Sequence, residues 1–185
     1  PGPPGADVAG ETVEEATALP AAAAAACFGL GDAPLAHVAR AVQSLIARKP
    51  AGLTFEQAST LPITWSTTHV AVGHASLRAR RSVVVQAAAG GVGLKALEYA
   101  LWVLAPCVGS AGRPQKHALL RAAGASGLCS SRDGAAFAVG ATRRLDGVRS
   151  HVVLNSLSAD FISASLGALG ERGASEQRRG LIAGP

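Results

Sequence analysis

The sequence predicts an α/β fold built on a doubly wound parallel sheet, and three observations carry that prediction. The first is the stretch "SVVVQAAAGGVGLKALEYA" at residues 82–100, where a β-branched run, Val83, Val84 and Val85, gives way to small residues and then to a helical pattern. Such a run suits a strand buried on both faces of a parallel sheet. The second is a regular alternation of strand-like and helix-like segments downstream, which implies right-handed crossovers and a Rossmann-type sheet. The third is composition: 49% hydrophobic and 16% charged residues in 185 exclude intrinsic disorder and allow one medium domain or parts of two.

The elements follow in chain order. "PGPPG" at residues 1–5 reads as linker or loop. The acidic and Ala-rich segment that follows, "ETVEEATALPAAAAAACFGLGD", carries no recognisable chemistry. Thr54 is placed to cap a short helix holding Glu56, Gln57 and Ala58. Residues 63–77 have helical spacing and lead into the strand at Val83. After Gly93, Leu94, Leu97, Ala100, Leu101 and Leu104 recur as one helix face. A strand is expected at 107–111, then a helix at 114–123 ending at Gly124, a suitable residue to follow a helix. A short strand at 127–131 precedes a helix capped by Asp133. A fourth strand at 151–157 precedes a helix capped by Ser158 and running through Leu169. Four strands are expected, fewer than the six of a full dinucleotide fold.

The seam after Val85 carries the candidate chemistry. The three key positions of a GxGxxG fingerprint hold Ala88, Gly90 and Gly93. The middle Gly lets backbone approach a pyrophosphate, and the last allows close helix–strand packing. The helix that opens there offers free N–H groups and a partial positive charge to phosphates. A tight βα turn can also use glycines without any ligand. At the end of the next strand an acidic residue would grip the ribose 2′-hydroxyl of NAD. This chain has Ser110, Gly112, Arg113 and Lys116 there instead. A hydroxyl with two cations suits a 2′-phosphate, and so NADP. The bland alternative is a pair of solvated cations on the first turn of an exposed helix.

Other classes find less support. Cys27, Cys107 and Cys129 are far apart and lack CxxC spacing, so neither a zinc site nor a disulfide framework is expected. His37, His69, His74, His117 and His151 are equally dispersed and read as surface or packing residues. The formal charge of +5 is scattered and not interleaved with aromatics, which are 4% of the chain. That pattern speaks against nucleic-acid binding. No charged N-terminal signal precedes an apolar run, and no stretch suits a membrane span, so a cytoplasmic location is the expectation.

"VVVQAAAGGVGLKALEYA", "GSAGRPQKHALLRAAGA", "CSSRD" and "VVLNSLSADFISASLGALGERG" resemble, in this order, the enoylreductase domains of modular polyketide synthases and animal-type fatty acid synthases. These belong to the zinc-free, quinone-oxidoreductase-like branch of the medium-chain dehydrogenase/reductase superfamily. "GADVAGE", "FGLGDAPLAHVARA" and "PAGLTFEQASTLPITWSTTHVAV" resemble upstream segments of the same family, so the likeness spans roughly residues 5 to 173. It implies a partial GroES-like substrate domain at 1–57, an NADP-binding Rossmann domain at 58–173 and a divergent tail at 174–185. It also implies truncation at both ends. The implied activity is hydride transfer from NADPH to a trans-2-enoyl thioester on an acyl carrier protein, beside other domains of a multidomain synthase. By the same resemblance Gly90, Gly91, Val92 and Gly93 form the pyrophosphate turn. Ser110, Arg113 and Lys116, with Ser131 and Arg132, form the 2′-phosphate site. Asn155 and Thr67 lie near the nicotinamide end, although Asn155 could instead cap the next helix and Thr67 could be an ordinary helix residue. No metal is implied. The family's Gly-Lys-x-Asp segment has no counterpart in "GERGASEQRRGLIAGP", and His69 and Val70 stand where it often has two Tyr residues. No catalytic residue is therefore named. The rival readings are a catalytically defective remnant that binds NADP or serves only structure, and a stand-alone NADPH quinone reductase.

Overall fold

The computed structural model describes residues 6–13, 25–32, 37–147, 149–157 and 160–177. The opening "PGPPG", the Ala run at 14–24 and Ser158 lie outside them, as does the chain after Gln177. Two compact units are present, Pro1–Ser66 and Thr67–Pro185.

In the first unit, β1 (Asp7–Glu11), β2 (Ala26–Leu30) and β3 (Ile46–Arg48) form an antiparallel sheet in that order. It stands where a remnant of a GroES-like β domain is expected. Helix α1 (Phe55–Ala58) begins at a capping box in which Thr54 Oγ1 accepts from Gln57 N and Gln57 Oε1 accepts from Thr54 N. Helix α2 (Pro62–His74) starts on a proline, whose fixed φ suits the first helical position. Its Ile63 N–H, which has no partner within the helix, donates to Asp7 Oδ1 of β1 at 2.7 Å.

The second unit is a parallel sheet with helices on both faces. Its strands are β4 (Val83–Val85), β5 (Cys107–Ala111), β6 (Gly127–Ser130), β7 (Ser150–Asn155) and β8 (Leu169–Gln177), in the order β6-β5-β4-β7-β8. Numbered within the sheet this is 3-2-1-4-5, the doubly wound order, with its reversal between β4 and β7. Helices α3 (Gly91–Trp102), α4 (Pro114–Ala122), α5 (Gly134–Arg144) and α6 (Asp160–Ala168) make the crossovers.

Alternation along the strands explains how both faces are filled. Val83 and Val85 join Leu97, Ala100, Leu120 and Leu154 on one side, while Val84, Val108 and Val153 pack with Phe137 and Ala141 on the other. Phe137 and Phe161 meet with centroids 5.6 Å apart, bridging α5 to α6. Asp133 caps α5 through Ala136 N, as expected, and Gly124 takes φ +93 after α4.

Two expectations need correction. Helix α3 ends at Trp102 rather than at residue 104, because Leu104 turns out of the helix at φ +58. Among the described residues the sheet has five strands rather than four. The additional strand is β8, which follows α6 directly and reaches Gln177. Its sequence, "LGERGASEQ", has no β-branched residue and three charges; it pairs with β7 alone, at the sheet's edge among the described residues.

Candidate functional site

Parallel strands end on one edge, and that edge gathers the candidate residues. The glycine turn follows β4, Ser110 to Arg113 close β5, Ser130 to Arg132 follow β6, and Asn155 ends β7. The turn also lies at the reversal in strand order, where α/β sheets open a crevice.

The turn is tight. Gly90 N donates to Ala87 O at 2.9 Å, and Ala87 itself takes φ +48. Gly93 has no room for a side chain: a Cβ there would lie 2.6 Å from Ala88 Cα and 2.7 Å from Ala87 O. Helix α3 therefore starts against the turn backbone, with the N–H groups of its first residues outside the intrahelical ladder. Ala88 stands at the fingerprint's first Gly position, and its methyl faces a residue without a side chain on the next strand. A Cβ at Gly109 would stand 3.0 Å from the Ala88 methyl.

Ser110 braces this turn. It is fully buried, its Oγ accepts from Ala87 N at 3.3 Å, and its carbonyl accepts from Ala88 N at 2.9 Å. Expected beside a phosphate, it ties β5 to the glycine turn, with its side chain fully buried at the strand's end. Across the sheet, Gln86 N donates to Leu154 O, and Gln86 Nε2 donates to Ser165 Oγ of α6 at 2.6 Å. Among the described residues the buried Gln86 Oε1 has no partner.

One strand away lies an open pocket of about 270 Å³ lined by Ala111, Gly112, Arg113, His117, Arg121 and Ser130, with Pro114 at the start of α4. Arg113, His117 and Arg121 are spaced four residues apart and share one side of α4. Lys116, expected beside Arg113, is exposed and outside the lining, because it is turned about 100° from His117 on the helix. Ser131 and Arg132 come close to this pocket: a Cβ at Gly112 would meet Arg132 Nε at 2.5 Å and Ser131 Oγ at 3.1 Å. His117 Nε2 is 2.7 Å from Ala111 O.

Asn155 is buried, and its Oδ1 accepts from Leu157 N at 2.9 Å, a local turn that fixes the chain leaving β7. Thr67 is half-buried on α2, whereas its neighbour Thr68 is fully buried and donates from Oγ1 to Val92 O at 3.4 Å. Thr68, not Thr67, is the hydroxyl packed on the start of α3.

Sequence reasoning missed Thr68, Gln86, His117 and Arg121. The four-residue spacing from Arg113 was a usable signal for the last two; a polar residue in an apolar run was the signal for Gln86. The thiols of Cys107 and Cys129 are pushed up to about 12 by burial, which leaves them protonated and unreactive. Among the described residues, no group of three or more His, Cys, Asp or Glu side chains could hold a metal ion.

Erythronolide synthase EryA2 of Saccharopolyspora erythraea is 38% identical over 149 residues, which is 79% of this chain and 4% of the synthase. The spectinabilin polyketide synthase system protein NorB of Streptomyces orinoci is 38% identical over 169 residues, 88% of this chain and 7% of that protein. The chain is a polyketide synthase homologue. It spans only a small share of those relatives. Among solved structures, the CurK enoyl reductase superposes with a TM-score of 0.82 at 28% identity, over 93% of this chain and 52% of that one. A mycobacterial protein, Rv1454c, in complex with NADPH, superposes with a TM-score of 0.85 at 23% identity, over 94% and 55%. The polyketide synthase homologue thus has an enoyl-reductase-like fold. No protein-family model matches it. Among the described residues no helix is long and apolar enough to cross a membrane.

Proposed function

We propose that the chain binds NADPH along the C-terminal edge of its parallel sheet and serves as an enoyl reductase within a multidomain synthase. Its substrate class is a trans-2-enoyl thioester held on an acyl carrier protein. The observation that carries this reading is a cation-lined pocket at the end of β5, one strand from a glycine turn that opens onto a helix N-terminus.

The residues fit the cofactor's anionic groups. Gly91, Val92 and Gly93 present backbone N–H groups to the pyrophosphate, beside the turn that Gly90 N closes onto Ala87 O and where bulk at Gly93 is already excluded. Arg113, with His117 and Arg121, neutralises the 2′-phosphate, while Ser131 and Arg132 close its other side at Gly112. Asn155 and Thr67 belong to the nicotinamide end, Asn155 held by its turn to Leu157. NADPH, when bound, supplies the hydride that saturates the β-carbon. The chain's own part is to hold the dinucleotide across the strand reversal and fix its orientation. The first unit, with its small antiparallel sheet, belongs to the substrate domain assigned to residues 1–57, and the second to the nucleotide domain assigned to 58–173. The residues from 174 form the divergent tail, whose first part completes β8.

Nicotinamide fluorescence during titration with NADPH and NADH tests the binding step. NADPH should bind more tightly, and Arg113→Ala should weaken it by about tenfold or more, the scale of a charged hydrogen bond. NADPH oxidation on adding a crotonyl thioester of a carrier protein or its pantetheine mimic tests turnover. A folded chain that binds NADPH no better than NADH would overturn the cofactor assignment; binding without turnover would leave a nucleotide-binding domain and remove the reductase.

A further inference from the structure

The cation pocket holds one imidazole beside its guanidinium groups. His117 Nε2 sits 2.7 Å from Ala111 O. A backbone carbonyl only accepts, so Nε2 carries a proton whether the ring is neutral or cationic. The ring's other nitrogen, Nδ1, makes no hydrogen bond among the described residues. His117 lines the pocket together with Arg113 at the N-cap of α4, Arg121 from α4 and Ser130 from β6, and Arg132 reaches Gly112 from the loop after β6. Lys116 lies next to it on α4, outside the lining. Among the described residues no carboxylate lines the pocket; Asp133, the nearest acid along the chain from Arg132, is engaged at the start of α5, where its Oδ1 accepts from Ala136 N.

We propose that His117 is a specificity residue that makes the choice between NADPH and NADH depend on pH. The inference rests on the cofactor reading above. A phosphate dianion only accepts hydrogen bonds, so contact with Nδ1 requires the imidazolium. A ribose 2′-hydroxyl can donate, so it satisfies the neutral ring without added charge. Binding NADPH is therefore coupled to proton uptake at His117, and binding NADH is not. By linkage, a ligand whose binding takes up a proton binds more weakly as pH rises through the titration of that group. The second ionisation of the phosphate itself, near pH 6, acts in the opposite sense and is common to every variant.

The test is the ratio of NADH to NADPH dissociation constants from about pH 6.5 to about 8.5 for the full chain, His117→Gln and His117→Arg. Wild type should lose roughly tenfold of its NADPH preference across that range, the scale of one charge-assisted hydrogen bond. His117→Gln, whose amide can still donate to Ala111 O, should show a lower preference without that fall. His117→Arg should keep a high preference throughout. Calorimetric titration with NADPH in two buffers of different ionisation enthalpy should report proton uptake in wild type and less in His117→Gln. A wild-type preference that does not fall with pH, or the same fall in His117→Gln, overturns the proposal while leaving the cofactor reading intact. The absence of any NADPH preference at every pH, unaltered by Arg113→Ala, overturns the cofactor reading itself.

Discussion

Replacing Gly93 by Ala separates what the glycine turn does for the fold from what it does for a ligand. The new Cβ would lie 2.6 Å from both Cα and O of Ala88, and 2.7 Å from Ala87 O. All three are backbone atoms, so no side chain can swing aside; the start of α3 must retreat by about 1 Å to reach ordinary carbon contact. Overpacking of this kind costs about 1–3 kcal/mol, and three backbone contacts place this site toward the upper end. Ala returns about 0.8–1 kcal/mol of helix propensity over Gly. The net loss is about 2 kcal/mol, or roughly 4–8 °C in melting temperature for a chain of this length.

Gly90→Ala is the matched control. Its Cβ would meet only Ala87 O, at 3.3 Å, and Gly90 already has φ −91, open to any residue. Its stability cost should stay below about 1 kcal/mol, since Ala caps a helix less well than Gly. If the turn takes a pyrophosphate, however, this substitution should weaken NADPH binding while the melt barely changes. Thermal melts and nicotinamide fluorescence on the two variants read both quantities. A Gly93→Ala melt matching that of Gly90→Ala would refute the packing argument, and unchanged NADPH affinity in Gly90→Ala would remove the pyrophosphate from the turn.

Three further outcomes follow from the geometry. Ala87→Gly should raise stability by about 0.5–1 kcal/mol in a denaturant titration, because Ala87 holds φ +48 where a side chain is strained. Gln86→Leu should leave stability at or above the wild-type level, since it removes the unpartnered Oε1 while Ser165 keeps its bond to Phe161 O. A loss above about 2 kcal/mol would instead mean that the Gln86–Ser165 bond outweighs the orphaned acceptor. Cys107 and Cys129 should resist thiol reagents at pH 8 until the chain unfolds. Their folded values, raised to about 12 from 9.0, contribute stability that is complete below pH 9 and lost as pH rises toward 12; fast labelling in the native state would contradict this.

The sheet was legible where the sequence carried β-branched residues and capping signals. Val83–Val85, the strand at 107–111, the Asp133 cap and the glycine after α4 each have a local cause, and each lies where its pattern indicates. Strand β8 was not legible, because a polar edge strand owes its existence to the partner beside it rather than to its own residues. The site divides in the same way. Backbone features, such as the tight turn and the packing at Gly93, follow from residue type. Which hydroxyl or cation faces the pocket depends on strand parity and helix phase. Those turn Ser110 inward, Lys116 outward and His117 into the lining.

The exchange between Ala88 and Gly109 shows why a fingerprint read along the chain underestimates this turn. What the turn needs is space between β4's end and β5, and that space can be left by a small residue on either side. Here a methyl on Ala88 occupies it, and a hydrogen on Gly109 admits that methyl, with a Cβ at Gly109 only 3.0 Å away from it. The Ala88 methyl is therefore accommodated in this turn by the bare Cα of Gly109. The two positions should behave as one unit. Gly109→Ala alone should destabilise by about 1–3 kcal/mol through overpacking, and Ala88→Gly should recover part of that loss when combined with it. Additive losses in the double variant would mean that Gly109 is small for a different neighbour, Leu120 Cδ1 at 3.3 Å being the next in line.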